Sequence, residues 1–451
     1  MNQWPWVTDN MTFVSPLGLG VTLLLGLALL VLPRKYALLP VLALTCFMTM
    51  GQRVMVVGLN FTMIRILILF GWMRLILRGE LRGMRLHTMD YVVLVWAAVG
   101  VAAHSLLYLT SEAMVYRLGQ AYNAVGTYFL FRYMIRSWDD IQRVLKMLAA
   151  FVIPLAAMMI IEKFSGRNVF ASFGGVPEIS EVRQGVIRCQ GPFGHSILAG
   201  TFGAALIPIF IAMTRQRKGS RMLSWLALIA ASIVAMTGGS SGPIMACAFG
   251  VLGFCFWPIR RHMRVVRWSI VGMLLCLQVV MKAPIWFLIA RVSVFNGSTG
   301  YHRSFLIQQA IMNFNEWWLF GTKSTAHWGY EMIDLTNQYL RQGVEGGVLT
   351  MALFITIIVL AFRNVGVGVR HQSDRNVRLI IWSMGCALVV HVFSFISVSY
   401  FDQNFVVWYM LLAVIATVGA LRQTSPVAQR TKPVADENSM ALSPALVGQP
   451  S

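Results

Sequence analysis

Six arginines and one lysine in two long connections between apolar runs are the residues most suited to chemistry. Roughly 165–194 holds Arg167, Arg183 and Arg188, and roughly 284–344 holds Arg291, Arg303, Lys323 and Arg341. A guanidinium fork matches the oxygens of a phosphate or carboxylate, so arginines gathered at one face point to an anionic ligand. The competing reading is that some of them pair with Glu178, Glu181, Glu316, Glu331, Asp334 or Glu345. The first connection ends Arg188-Cys-Gln-Gly-Pro-Phe-Gly-His195 and runs into an apolar segment. That places an arginine beside a helix N-terminus, itself an anion-binding position; Gly and Pro there also serve a tight re-entry. Asp334, His327 and His302 are titratable groups of the second connection. For Asp334 a salt bridge to Arg341 is the alternative, while His195 and His391 suit capping or packing. Thr237-Gly-Gly-Ser-Ser-Gly-Pro243 lacks the Lys and the glycine spacing of a phosphate loop and reads as a short turn between helices. No His/Cys/Asp/Glu cluster has metal-ligand spacing, so neither metal nor cofactor is expected.

The elements that must hold these groups are membrane helices. Apolar residues make up 57% of the 451, and charged residues only 12%, about half of what a soluble domain carries. Mean hydropathy is +0.67. A helix needs about 20 largely apolar residues to cross the hydrocarbon layer. Thirteen such runs are expected near 11–32, 36–56, 57–77, 89–109, 114–135, 147–164, 195–214, 222–238, 243–258, 268–283, 345–362, 379–397 and 405–420. They do not alternate, which excludes a β-barrel. A bundle of 12–13 helices is therefore the expected all-α fold.

Charge sets the expected orientation. The chain carries a net charge of +20, and of its 37 Lys and Arg, 25 fall in alternate connections. On a soluble protein such an excess would suggest nucleic acid. Here alternation implies topology instead, with the N-terminus outside, the C-terminus inside, and both long connections outside. The polar residues Met1–Asn10 lack Lys and Arg, so no signal peptide is expected. Residues 421–451 read as a disordered inner tail. Within the runs, Arg65 and Arg117 should face the bundle interior or a polar cavity, and Arg53 should snorkel to the interface. The segment from Arg303 to Glu316 repeats apolar residues at helical spacing and is followed by Trp317, Trp318 and Trp328. It reads as a helix lying on the outer surface with aromatic anchors.

Taken in order, these pieces resemble the O-antigen polymerase and O-antigen ligase superfamily over roughly 160–365. Arg188 with Gly191 and Phe193 looks like the close of the family's first periplasmic loop, and Thr237 to Ser241 like its Thr/Ser/Gly turn. Arg303 with Trp317, Trp318 and Gly321 is similar to the Arg…Trp/Pro…Gly pattern of its large loop. Asn337 and Gly347 are similar to the His-Asn…Gly element that ends that loop. The resemblance implies a GT-C-like, metal-independent glycosyltransferase of the bacterial inner membrane, acting on undecaprenyl-pyrophosphate-linked oligosaccharides at the periplasmic face. A polymerase of O-antigen or exopolysaccharide fits before a ligase; a flippase of the same lipid is the rival of another class. Partners would be the lipid-linked saccharide, membrane lipid and polysaccharide export or chain-length proteins, with no nucleic acid. Arg188, Arg303 and Asp334 would be catalytic, and Arg341, Asn337, His327, Arg65, Arg117 and His302 would bind substrate. One departure stands out: Thr336 occupies the place of the His that the family's ligases use as a base.

Overall fold

The computed structural model describes residues 12–216, 221–291 and 300–423. The expected N-terminal segment and nearly all of the expected tail lie outside them. Sixteen α-helices and four short strands make up the described regular structure, apart from several 3-10 turns. In chain order come α1 (Pro16–Val31), α2 (Leu39–Phe47), the hairpin β1 (Arg53–Val56) and β2 (Leu59–Thr62), α3 (Met63–Leu77), α4 (Thr88–Tyr108), α5 (Ser111–Met134) and α6 (Trp138–Ser165). The first long connection carries the hairpin β3 (Glu181–Arg183) and β4 (Val186–Arg188) before α7 (Ser196–Thr214), α8 (Arg221–Thr237), α9 (Ser241–Leu252) and α10 (Met263–Val280). The second carries α11 (Leu288–Arg291), α12 (Gly300–Met312) and α13 (Phe314–Trp317), then leads to α14 (Gln338–His371), α15 (Arg375–Ser394) and α16 (Gln403–Gln423).

Among the described residues, seven helices are long and apolar enough to cross a membrane, and the chain reads as a membrane protein. They fall within α4, α6, α7, α10, α14, α15 and α16, the α10 span beginning in the 3-10 turn before it. Every expected run holds a helix, but the full count of thirteen spans is not reached. The runs 36–56 and 57–77 are the clearest departure. At nine residues α2 is about 14 Å long, and the next stretch folds as β1–β2. Val57 and Gly58 both take positive φ, the geometry of a two-residue hairpin turn. Arg53, expected to snorkel from a span, sits instead on β1 with its backbone paired to Phe13.

Helices α7 and α16 are the most enclosed of the seven. Small residues explain α7: a Cβ on Gly203 would stand 2.6 Å from the Ala231 carbonyl, and one on Gly200 would stand 3.1 Å from Pro243. The backbone of α7 can thus lie directly against α8 and α9. Helix α14 packs against α4, α15 and α16, and α16 also against α5 and α7, so these helices enclose the middle of the bundle. By contrast α10 has no buried residue.

Two basic residues expected merely to set orientation are built into the bundle. Arg132 is buried and grips Asp90 through Nε at 3.0 Å and Nη2 at 3.1 Å, while the Tyr128 hydroxyl donates to the same carboxylate at 2.6 Å. Arg74 is likewise buried, paired with Glu80 at 3.0 Å and donating to the Leu29 and Leu32 carbonyls. Those last carbonyls of α1 have no partner within their own helix, and the guanidinium supplies one.

The large connection also differs from a simple surface helix. Trp317 and Trp328, expected as interfacial anchors, are buried in a separate small core with Leu306, Ala310, Met332 and Val344. Trp318 alone of the three is exposed. This core is clamped onto α14 by two glycines. Gly321 and Gly347 both have positive φ, and a Cβ on either would run into a backbone carbonyl, of Val344 and Leu319 respectively. Thr322 N–H donates to Val344 at 2.9 Å and Val348 N–H to Trp318 at 2.8 Å. Gly347 therefore breaks α14 into a short piece beneath the loop and a long one in the bundle.

Candidate functional site

The first connection is fixed by one buried carboxylate. Glu162, near the end of α6, accepts from the amides of Gln190 at 3.0 Å and Gly191 at 2.9 Å, and from the Ser180 hydroxyl at 2.8 Å. Asn168 Nδ2 donates to the Gly191 carbonyl at 2.7 Å, and Gly191 takes φ +56°. Cys189 N–H bonds the Thr237 carbonyl at 3.1 Å, tying the strand to the turn between α8 and α9. Burial pushes the Cys189 thiol up to about 12. The result is a rigid mount for Arg188.

Arg188 is buried and pairs through Nη1 with Glu181, its register partner across the hairpin, at 3.2 Å. Its Nε is enclosed without a hydrogen-bond partner among the described residues. Arg303, on α12, is half-buried and its Nε is in the same condition. Burial, and then the charges of Arg183 and Arg188, hold the Arg303 guanidinium below its usual range, though an arginine stays charged throughout. Three arginines from two distant connections thus meet within electrostatic reach, with Glu181 as the carboxylate at Arg188. Such an arrangement raises the local positive potential and favours an anion between them.

His195 caps α7 by accepting the Ile197 amide on Nδ1 at 3.1 Å. Its pKa is lowered by burial and by Arg188, against the pull of Glu181 and Asp334. Asp334 is exposed and lies within electrostatic reach of both His195 and Arg341. The ion pair considered for Asp334 and Arg341 does not form. Arg341 pairs instead with Glu345 at 2.8 Å, and Glu345 also receives Arg117 at 2.7 Å.

Arg117, Arg341 and Arg65 all line a cavity of about 1120 Å³ enclosed by α3, α4, α5, α14, α16 and the β1–β2 hairpin. Arg65 Nε donates to Asn123 at 2.9 Å. Trp96, Tyr116, Tyr122, Phe405 and Trp408 give the cavity aromatic walls among polar groups. This mix of flat apolar faces and hydrogen-bonding side chains suits a polyhydroxylated ligand. A volume of this size holds more than one sugar ring.

The remaining candidates are engaged elsewhere. Asn337 is the N-cap of α14: its Oδ1 accepts from Tyr339 and Leu340, and its Nδ2 donates to the Ile396 carbonyl at 3.2 Å. These bonds make it a structural cap. His327 is exposed and bonded to Glu316 at 2.8 Å, and it does not line the cavity. His302 is half-buried on α12 next to Arg303, also outside the cavity wall. Thr336 keeps its hydroxyl buried with no hydrogen-bond partner among the described residues. His391 packs inside the bundle with Nδ1 2.7 Å from the Tyr400 hydroxyl. No His/Cys/Asp/Glu group among the described residues is arranged to hold a metal.

Three acids that the sequence did not single out as functional belong to the cavity, and Glu112, on its rim, is exposed; the other two are more enclosed. Glu345 is one. Asp402, just before α16, is the other, and its φ of +51° is uncommon for a residue with a side chain. The Gly194 amide donates toward its carboxylate, while burial raises that carboxyl to about 6. A Cβ on Gly194 would collide with Asp402 Oδ2. Comparison with protein-family models, with curated proteins and with solved structures returns no match.

Proposed function

We propose that this chain is a membrane glycosyltransferase that joins lipid-pyrophosphate-linked saccharide units at the end of the bundle formed by its two long connections. The observation that carries the reading is that Arg183 and Arg188 lie within electrostatic reach both of Arg303 and of His195 at the start of α7. A pyrophosphate held there would leave readily, because preorganised guanidinium groups stabilise the charge that develops on it. The adjacent cavity supplies space for a saccharide. In this reading the arginine-bearing end is periplasmic, the fold is GT-C-like, the alternate basic connections face the cytoplasm, and the membrane is the bacterial inner membrane. The order of motifs resembling the O-antigen polymerase and ligase superfamily supports a polymerase of O-antigen or exopolysaccharide. A ligase differs in the acceptor alone.

A flippase for the same lipid is the second reading, favoured by the arginines that line the cavity between helices. Purified protein in liposomes with lipid-linked saccharide separates the two. Longer chains on the lipid support the transferase, and movement across the bilayer without new glycosidic bonds supports the flippase. Loss of one such donor typically lowers turnover by about 10²–10³-fold. Arg188→Ala and Arg303→Ala should each fall in that range. If both couple at the wild-type rate, the pyrophosphate assignment is wrong.

A further inference from the structure

We infer that Asp402 is the catalytic residue that accepts the proton of the incoming sugar hydroxyl, with the acceptor saccharide seated in the cavity that Asp402 lines. The inference rests on the transferase reading above and adds to it the group that activates the acceptor.

Position comes first. Asp402 is on the cavity wall, and its carboxylate occupies the space above Gly194, where any side chain would displace it. The next residue, His195, is within electrostatic reach of Arg188 and Asp334. Asp402 therefore links the cavity wall to the start of α7, where His195 feels the charge of Arg188. A proton acceptor for glycosyl transfer belongs at such a link, between the leaving group on one side and the attacking hydroxyl on the other.

Backbone geometry adds a second argument. Holding a residue at φ +51° costs energy unless its surroundings impose it. Here the turn between α15 and α16 is tied down around Asp402. Tyr400 N–H donates to Gln338 Oε1 at 2.8 Å, and Gln403 Nε2 donates to the Met48 and Pro192 carbonyls at 2.9 Å each. The carboxylate is thus aimed by its neighbours rather than left to rotate in solvent. Asp334, by comparison, is exposed on the loop.

The charged and titratable groups facing the same space are known element by element. Arg65 faces it from α3, and Glu112, Tyr116, Arg117 and Tyr122 from α5. From α14 come Arg341 and Glu345, and from the α16 side Tyr400 and Tyr409. None of the described residues makes an ion pair with Asp402, whereas Glu345 is committed to two arginines. Glu112 is exposed at the start of α5, which leaves Asp402 as the enclosed cavity acid not committed to an arginine. Burial of its carboxyl tunes it toward neutral pH, as general bases require.

The step balances simply. The acceptor O–H gives its proton to an Asp402 carboxylate oxygen as its oxygen bonds the anomeric carbon of the donor. The anomeric carbon–oxygen bond to pyrophosphate breaks, and its electron pair leaves on the lipid pyrophosphate beside Arg188 and Arg303. Asp402 later returns the proton to water.

The experiment uses full-length protein in liposomes with lipid-linked saccharide, read as single-turnover coupling from pH 5 to pH 8. The expected wild-type profile has an acid limb with a midpoint near 6. Asp402→Asn should lower the rate by about 10²–10⁴-fold, keep donor binding, and lose the limb. Wild-type coupling with a pH-independent rate across this range, or an Asn variant that couples within twofold of wild type, overturns the inference while leaving the transferase intact. If the wild type makes no glycosidic bond, the transferase reading itself fails. The profile of the wild type needs no variant to fold.

Discussion

Arg117 on α5 and Glu345 on α14 meet at 2.7 Å, and the other oxygen of the same carboxylate takes Arg341 at 2.8 Å. One acid thus sits between two arginines that would otherwise repel each other across the cavity wall. The Glu345 carbonyl also lies 3.3 Å from His104 Nδ1 on α4, so this single residue joins three helices.

Removing that carboxylate should be expensive, because it strands two enclosed cations. Glu345→Gln is expected to destabilise the protein by about 3 kcal/mol, the range typical of a broken buried pair. A thermal melt in detergent measures it. A variant that melts with the wild type would mean that the arginines find water or each other without penalty.

The glycine clamp between the large loop and α14 gives a contrast within one helix. Gly347→Ala must place a side chain at positive φ and against the Leu319 carbonyl. The strain alone is on the order of 1–3 kcal/mol. Gly366→Ala, further along α14, meets nothing within 4 Å and has no positive φ, so it should gain up to about 1 kcal/mol from helix propensity. Melting both variants beside wild type tests the pair, and a sign reversal at either position contradicts the geometry.

Asp402 should trade stability for function in a pH-dependent way. Its carboxyl is raised from 3.8 to about 6 by burial. A raised carboxyl contributes stability below its unfolded value, and that contribution is lost as pH climbs through the folded one. Asparagine cannot ionise and tolerates positive φ. Asp402→Asn is therefore expected to be more stable than wild type at pH 8, on the order of 2 kcal/mol after allowing for partial exposure to the cavity. The gap should close as pH falls toward 4. Denaturation curves at several pH values decide it, and a variant less stable at pH 8 would show that the Asp402 charge is welcome in the fold.

Cys189 offers a probe of the first connection. Its thiol is buried and raised to about 12, so at pH 8 the reactive thiolate is about one part in ten thousand. Labelling of Cys189 by maleimide at pH 8 should be negligible in the folded protein and complete after denaturation. Rapid labelling in the native state would mean that the mount around Glu162 opens.

How far the sequence revealed this arrangement varies with the range of the forces involved. Helices were readable because apolar runs are local, and each run indeed holds a helix. The β1–β2 hairpin escaped notice because it sits between two apolar helices, although Arg53, Asn60 and the turn at Val57-Gly58 are local signs of it. Several acids weighed as arginine partners do take that role, among them Glu178 with Arg167, Glu181 with Arg188 and Glu345 with Arg341. Asn337 reads as a ligand group by motif, yet its amide is consumed by capping. Asp402 carries no local signal at all: its meaning comes from a contact with Gly194, which only the packing of α7 against α16 creates.

The break at Gly347 has a mechanical side. A continuous helix would make Arg341 and Glu345 part of the bundle, fixed wherever α14 is fixed. The kink instead leaves a short piece from Gln338 to Gly346 that is fastened to the loop through Thr322 and Val344 and to the bundle through Gln338 and Gln342. A displacement of the loop would therefore be felt by Arg341 directly and by Arg117 through Glu345. The loop and the cavity wall would then respond together, with a single glycine at the bend.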